Sequence, residues 1–195
     1  SINYNFRPPS AGPYQLSDKE KNGGKADEIK KNAGLNYRLM NESIQNVLSN
    51  LKENHPAYDA DAGYEIAGFV WFQGWNDMCN RHYISQYTDN MIHFIVDVRR
   101  DFESPNLPFI VGVLGVYGTD PDSRRFDKGL PVTTFRKTQF EAVETFNAKV
   151  KSKYRGNVIA VDSGPFYELG LSDIYWKRRM TGEWKRRLER GEMIR

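Results

Sequence analysis

Five consecutive residues, Gln73-Gly74-Trp75-Asn76-Asp77, combine amide side chains, a glycine and a carboxylate at one point of the chain. They follow an apolar run from Tyr64 to Phe72, rich in β-branched and aromatic residues, that reads as a buried strand. In open α/β sheets a ligand sits just beyond the carboxyl ends of the strands. Glycine there lets backbone approach a substrate closely. Gln73 and Asn76 can present N–H donors to a developing oxyanion, as can the Gly74 backbone. Trp75 can stack on a sugar ring, whereas Trp71, inside the strand, is expected in the core. Asp77 is expected to fix the turn by accepting backbone N–H groups rather than to act as an acid.

Other reactive side chains carry less. His82 has Asp77 and Asp89 nearby in sequence, but no second histidine at ligand spacing, so no metal site is expected. His93 lies between Ile92 and Phe94, off its helix's apolar stripe, and reads as a surface or internally satisfied histidine. Cys79 lacks a partner base and reads as a small buried residue. Arg7 is a candidate for holding a substrate carboxylate, since a guanidinium matches that shape; an internal ion pair is the equal alternative.

Apolar periodicity defines the elements that must position these groups. Met40, Ile44, Val47, Leu48 and Leu51 mark a helix from Leu35 to Asn54, stopped by His55-Pro56. Tyr87, Met91, Phe94, Ile95, Val98 and Phe102 mark a second, from Ser85 to Phe102. Phe140, Val143, Phe146 and Val150 mark a third, from Thr133 to Tyr154. Pro108–Val116 reads as a strand covered on both faces, and Asn157–Asp162 reads as a third strand. Strands alternating with helices imply right-handed crossovers and a parallel sheet. All three strands end in polar, glycine-containing turns, so their tips should share one face. Residues 1–33 read as an extended loop segment, with Pro8-Pro9 and Gly23-Gly24 as punctuation. Tyr117–Pro131 reads as a long loop at a strand tip, and Leu171–Arg195 as a basic tail suited to a solvated helix or part of a lid.

At 195 residues the chain fits one domain with a real core. Its 28 basic and 25 acidic residues nearly balance, which gives no argument for nucleic acid as a partner. A single cysteine excludes an internal disulfide, and no apolar run is long enough for a membrane span. No glycine-rich phosphate loop appears, which argues against a flavodoxin-like nucleotide binder; no cofactor is expected.

The stretch Tyr64–Asp77 resembles the third conserved block of the SGNH hydrolases, written G-x-N-D and matched by Gly74-Trp75-Asn76-Asp77. The branch it is most similar to contains the sialic-acid O-acetylesterases and acetylxylan-esterase-like carbohydrate esterases. Phe6–Ser10 resembles the loop after that family's second-block glycine. Asp97–Asp101, Leu107–Gly112 and Val161–Phe166 resemble its later helix and strand ends. The resemblance implies a three-layer α/β/α, flavodoxin-like SGNH fold, incomplete at both ends. It also implies a serine esterase that removes O-acetyl groups from sugars, secreted or periplasmic, with Gly74 and Asn76 in the oxyanion hole. Gln73, Trp75 and Arg7 would then face an acetylated carbohydrate. The sequence departs from the family in two respects: it contains no Gly-Asp-Ser block, and no histidine follows His93. These residues are therefore expected to be a central, inactive fragment of an esterase. The alternative is a non-catalytic carbohydrate-binding or interaction domain on the same scaffold.

Overall fold

The computed structural model describes residues 1–119, 132–149 and 157–172, together with 174, 175, 178, 181, 182 and 186. Its helices are α1 (Asp18–Asn22), α2 (Ala26–Asn32), α3 (Leu35–Ser49), α4 (Leu51–Asn54), α5 (Trp75–Met78), α6 (Arg81–Asp101) and α7 (Val132–Lys149). Its strands are β1 (Phe69–Trp71), β2 (Phe109–Val113) and β3 (Val158–Asp162). They form a parallel sheet in the order β1-β2-β3, with Phe69 opposite Phe109 and Phe109 opposite Val158. This is a mixed α/β arrangement with the expected alternation of strand and helix.

The register explains why β1 is shorter than the apolar run from Tyr64. Phe69 N–H makes the first rung, to Pro108 O at 2.8 Å. Gly68 lies against Pro108, which has no N–H to return, so pairing cannot extend upstream. At the other end β2 stops short of Val116 because Leu114 N–H leaves the ladder for the Gln139 side chain.

Helix α6 begins four residues earlier than its apolar stripe suggests. The Asn80 side chain accepts from His82 and Tyr83 N–H and so caps the first turn. The six stripe residues are all buried, and Trp71, Phe94 and Phe109 interlock over the sheet. Along α7 the stripe is Val132, Phe135, Gln139, Ala142, Val143 and Phe146; the expected Phe140 is only half-buried. The last residues of that expected helix, 150–154, lie outside the described residues, as does most of the 117–131 loop and of the basic tail.

Two successive right-handed crossovers that march in one direction put both connecting helices on the same face of the sheet. Helices α6 and α7 accordingly pack against each other. On the opposite face Val70, Phe72, Ile159 and Val161 of the flanking strands are exposed, whereas on β2 itself Ile110 is half-buried and Gly112 is buried against the Phe72 ring. At the amino ends of the strands, buried Arg99 reaches from α6 to Leu107 O (2.9 Å) and Asn157 Oδ1 (2.9 Å), tying β2 and β3 together.

Two further expectations are corrected. Residues 1–33 are not simply extended: they contain a 3₁₀ turn at Pro9–Ala11 and two short helices, the first held by a Ser17/Glu20 capping box. The expected helix from Leu35 to Asn54 is two helices separated at Asn50, and Val47 is 47% exposed. What holds α3 is Tyr37, which is buried, meets the Phe94 ring and donates to Asp101 at 2.7 Å. Asn41 donates to the same oxygen. Burial alone would raise the Asp101 pKa, but Tyr37, Arg100 and Asn41 outweigh it and hold the carboxyl below its ordinary value.

Burial raises the phenol pKa of Tyr4, Tyr14, Tyr37, Tyr83 and Tyr87. Each therefore stays neutral in the fold, while the unfolded chain ionises near pH ~10. Their stabilisation is complete below about pH 10 and is lost as pH rises through that value toward the folded pKa values. We expect tyrosinate absorbance from these residues to appear together with loss of helical circular dichroism. Ionisation of all eleven tyrosines near pH ~10 with the helices intact would contradict it.

Candidate functional site

The Gln73–Asp77 turn leaves the carboxyl end of β1 and becomes α5 within two residues. Gly74 is its buried pivot: a Cβ there would stand 2.6 Å from Phe135 Cε1. Only glycine lets α7 approach this closely. Gly74 N–H and the Asn76 side-chain amide form no hydrogen bond with any described residue. The Asn76 side chain is exposed, and Trp75 is 41% exposed beside it. The site therefore offers donors with no partner of their own, next to an accessible aromatic ring. Gln73 contributes differently, because its side-chain oxygen is buried without a partner. An unpaired polar atom of this kind costs about 1–3 kcal/mol, and a ligand donor would relieve it.

Two buried side chains hold the turn in place. Gln139, fully buried on α7, accepts from Leu114 N–H at 3.0 Å. Its amide nitrogen lies 3.5 Å from Gln73 O, 3.4 Å from the Tyr87 hydroxyl and 3.5 Å from Gly112 O. One side chain thus joins the tips of β1 and β2. Asp77, also fully buried, accepts from Ile2 N–H (3.1 Å), Asn3 N–H (3.3 Å) and the Asn3 side-chain amide (2.7 Å). It does bond backbone N–H groups, but those of a distant segment and not of its own turn. Asn3 extends the chain by donating to Tyr83 O and accepting from Asn90 at 2.6 Å.

The tip of β3 is tied in by Arg136 of α7, which meets Asp162 at 2.6 Å and Gly118 O at 2.6 Å. Asp162 also accepts from Gly164 N–H. All three strand tips therefore take a bond from the amino-terminal half of α7. None of Phe135, Arg136 or Gln139 was singled out in the sequence. Gln139 carried a signal, as a polar residue one turn before Val143 on an apolar stripe; Asn3 and Arg136 carried none.

The remaining candidates lie elsewhere. The Arg7 guanidinium donates to Gly12 O, Ala11 O, Asn3 O and Asn90 Oδ1, and lines a cavity that includes none of residues 73–77. Trp71 is buried against Phe6 and Phe94. His93 Nδ1 pairs with the Ser10 hydroxyl at 2.8 Å while Ser10 N–H donates to Asp97, so the histidine pins a loop. Cys79 is exposed, contrary to expectation, and partial burial pushes its thiol pKa up, away from the reactive thiolate. No group of three potential metal ligands occurs among the described residues.

The family model described as carbohydrate esterase, sialic acid-specific acetylesterase, matches residues 24–161. No curated protein matches the chain. A solved structure of a protein from Arabidopsis thaliana is similar at 23% identity and a TM-score of 0.38, covering 62% of this chain and 39% of that one.

The Asp77 clamp predicts a measurable coupling. Hydrogen bonds to a charged acceptor contribute roughly 1.5–3 kcal/mol, so Asp77→Asn should lower stability by about that much in urea denaturation. Combining it with Asn3→Ala should cost less than the sum of the two. Strict additivity would contradict the clamp.

Proposed function

Since the chain belongs to the carbohydrate esterase family of sialic acid-specific acetylesterases, we propose that its Gly74–Asn76 turn is the oxyanion hole for cleavage of an O-acetyl ester on a sugar. The observation that carries this is the pair of unpartnered donors, Gly74 N–H and the Asn76 amide, on a turn fixed by Gln139 and Asp77. Attack on an ester carbonyl moves charge onto its oxygen. Donors already aimed at that oxygen, and needing no reorganisation, stabilise the transition state more than the substrate. Gln73 and Trp75 flank the same point, one with a side-chain oxygen able to accept a hydrogen bond from a hydroxyl and the other able to lie along a sugar face.

In this reading the attacking hydroxyl is a serine activated by a histidine that a carboxylate orients. These 195 residues contain neither a Gly-Asp-Ser block nor a histidine after His93, and the Ser10–His93 pair is occupied in holding a loop. The nucleophile and base are therefore assigned to sequence beyond these residues, and the 195 residues alone are expected to leave acetyl esters intact. The resemblance to SGNH esterases supports a protein acting outside the cytoplasm.

In the protein that carries nucleophile and base together with these residues, Asn76→Ala should reduce kcat on an acetylated sugar about 10²–10³-fold. Because the side chain is exposed, the fold should be unaffected. An unchanged kcat would remove Asn76 from the oxyanion hole.

A further inference from the structure

A second site lies between the amino-terminal segment and the α2–α3 junction. It is a cavity of about 520 Å³, lined by Arg7, Lys30 and Arg38 together with prolines 8, 9 and 13 and the tyrosines 14 and 37. That size falls within the roughly 300–1,000 Å³ of small-molecule pockets. No Asp or Glu lines it. The three cations form no ion pair with any described residue, although two of them are held firmly in place.

Arg7 is half-buried, and its four hydrogen bonds all go to neutral oxygens, of Asn3, Ala11, Gly12 and Asn90. A guanidinium has five N–H groups, so one remains. Arg38 donates to Ala33 O (3.0 Å) and Lys31 O (3.1 Å), which fixes its plane and leaves most of its donors unused. The Lys30 side chain is exposed and bonds to no described residue. Ordinarily a partly buried guanidinium is paired with a carboxylate, because removing its charge from water is costly. Here the backbone carbonyls orient the charge but do not neutralise it.

The backbone is shaped to keep this arrangement. Gly34 adopts φ +70°, and a Cβ on it would stand 2.9 Å from Arg7 O. Its N–H donates to Tyr4 O at 2.7 Å, which joins the amino-terminal segment to the start of α3. The prolines stiffen the opposite wall.

We infer that this cavity binds a carboxylated sugar, with Arg38 and Lys30 meeting the carboxylate, Arg7 supplying its remaining N–H, and proline and tyrosine carbon meeting the ring. The anionic half of the assignment comes from the geometry; the sugar half rests on the carbohydrate-esterase reading. The site is separate from the ester-cleaving turn, since no residue from 73 to 77 lines it. It serves to hold an acidic glycan, and does no chemistry itself.

The test is a titration of the protein with sialic acid and with glucuronic acid, followed by calorimetry and by amide NMR shifts. Glucose and inorganic phosphate serve as the neutral and the sugar-free comparisons. Both acids should bind, weaken as salt rises, and shift amides in residues 7–14 and 30–38 while leaving Gly74 and Asn76 unmoved. Lys30→Gln, an exposed and fold-neutral change, should weaken binding at least fivefold, and Arg38→Gln further. Equal binding of glucose, phosphate binding as tight as either acid, no binding, or an unaffected Lys30→Gln would each overturn the inference. Because nothing here depends on ester cleavage, the result stands apart from that of Asn76→Ala.

Discussion

A fully buried carboxylate must find hydrogen-bond donors within the protein, and Asp77 finds three of them on residues 2 and 3, more than seventy positions away. That requirement draws the amino-terminal segment across the tip of β1. It also sets the rest of the segment, because Asn3 then reaches Asn90 and Arg7 reaches the Asn3 carbonyl. Removing the Asp77 charge would loosen the turn that carries Gly74 and Asn76 and the segment that carries the cationic cavity. Two features of different chemistry thus depend on one side chain.

Helix α7 supplies the complementary constraint. Phe135 presses on Gly74, Gln139 joins β1 to β2, and Arg136 ties β3 to the loop after β2. A short parallel sheet of three strands, with one face partly exposed, has little else to fix its tips. The division of labour is physically sensible: apolar residues of α6 and α7 supply the core, and the polar residues of α7 supply the precision at the strand ends. The proposed oxyanion stabilisation would need that precision, because donors that must reorganise during a reaction lose much of their advantage.

The alternation of strands and helices was legible in the sequence because apolar spacing reports burial directly, and α6 shows it best, with every expected stripe residue buried. The location of the turn was legible for the same reason: an apolar run ended abruptly in amides and glycine. Strand length was not, since it depended on Pro108 standing opposite Gly68, a register known only in three dimensions. Residues 1–33 were misread because short helices such as α1 depend on local caps more than on an apolar stripe. The supports of the site were hidden for a further reason. A hydrogen bond between Asn3 and Asp77 leaves no periodicity in sequence, so long-range polar contacts emerge only from the fold. The family match over residues 24–161 agrees with the esterase resemblance read from Gly74-Trp75-Asn76-Asp77.

The central claim is that the donors of this turn converge on one developing negative charge. The most direct measurement is a crystal structure of the protein that carries nucleophile and base with these residues, inactivated by an alkyl phosphonate ester. Its tetrahedral phosphorus places an oxygen where the oxyanion forms. The account predicts that oxygen at about 2.7–3.1 Å from both Gly74 N and Asn76 Nδ2, with the turn unmoved. A phosphonate oxygen held by other groups, with Asn76 pointing into solvent, would contradict it.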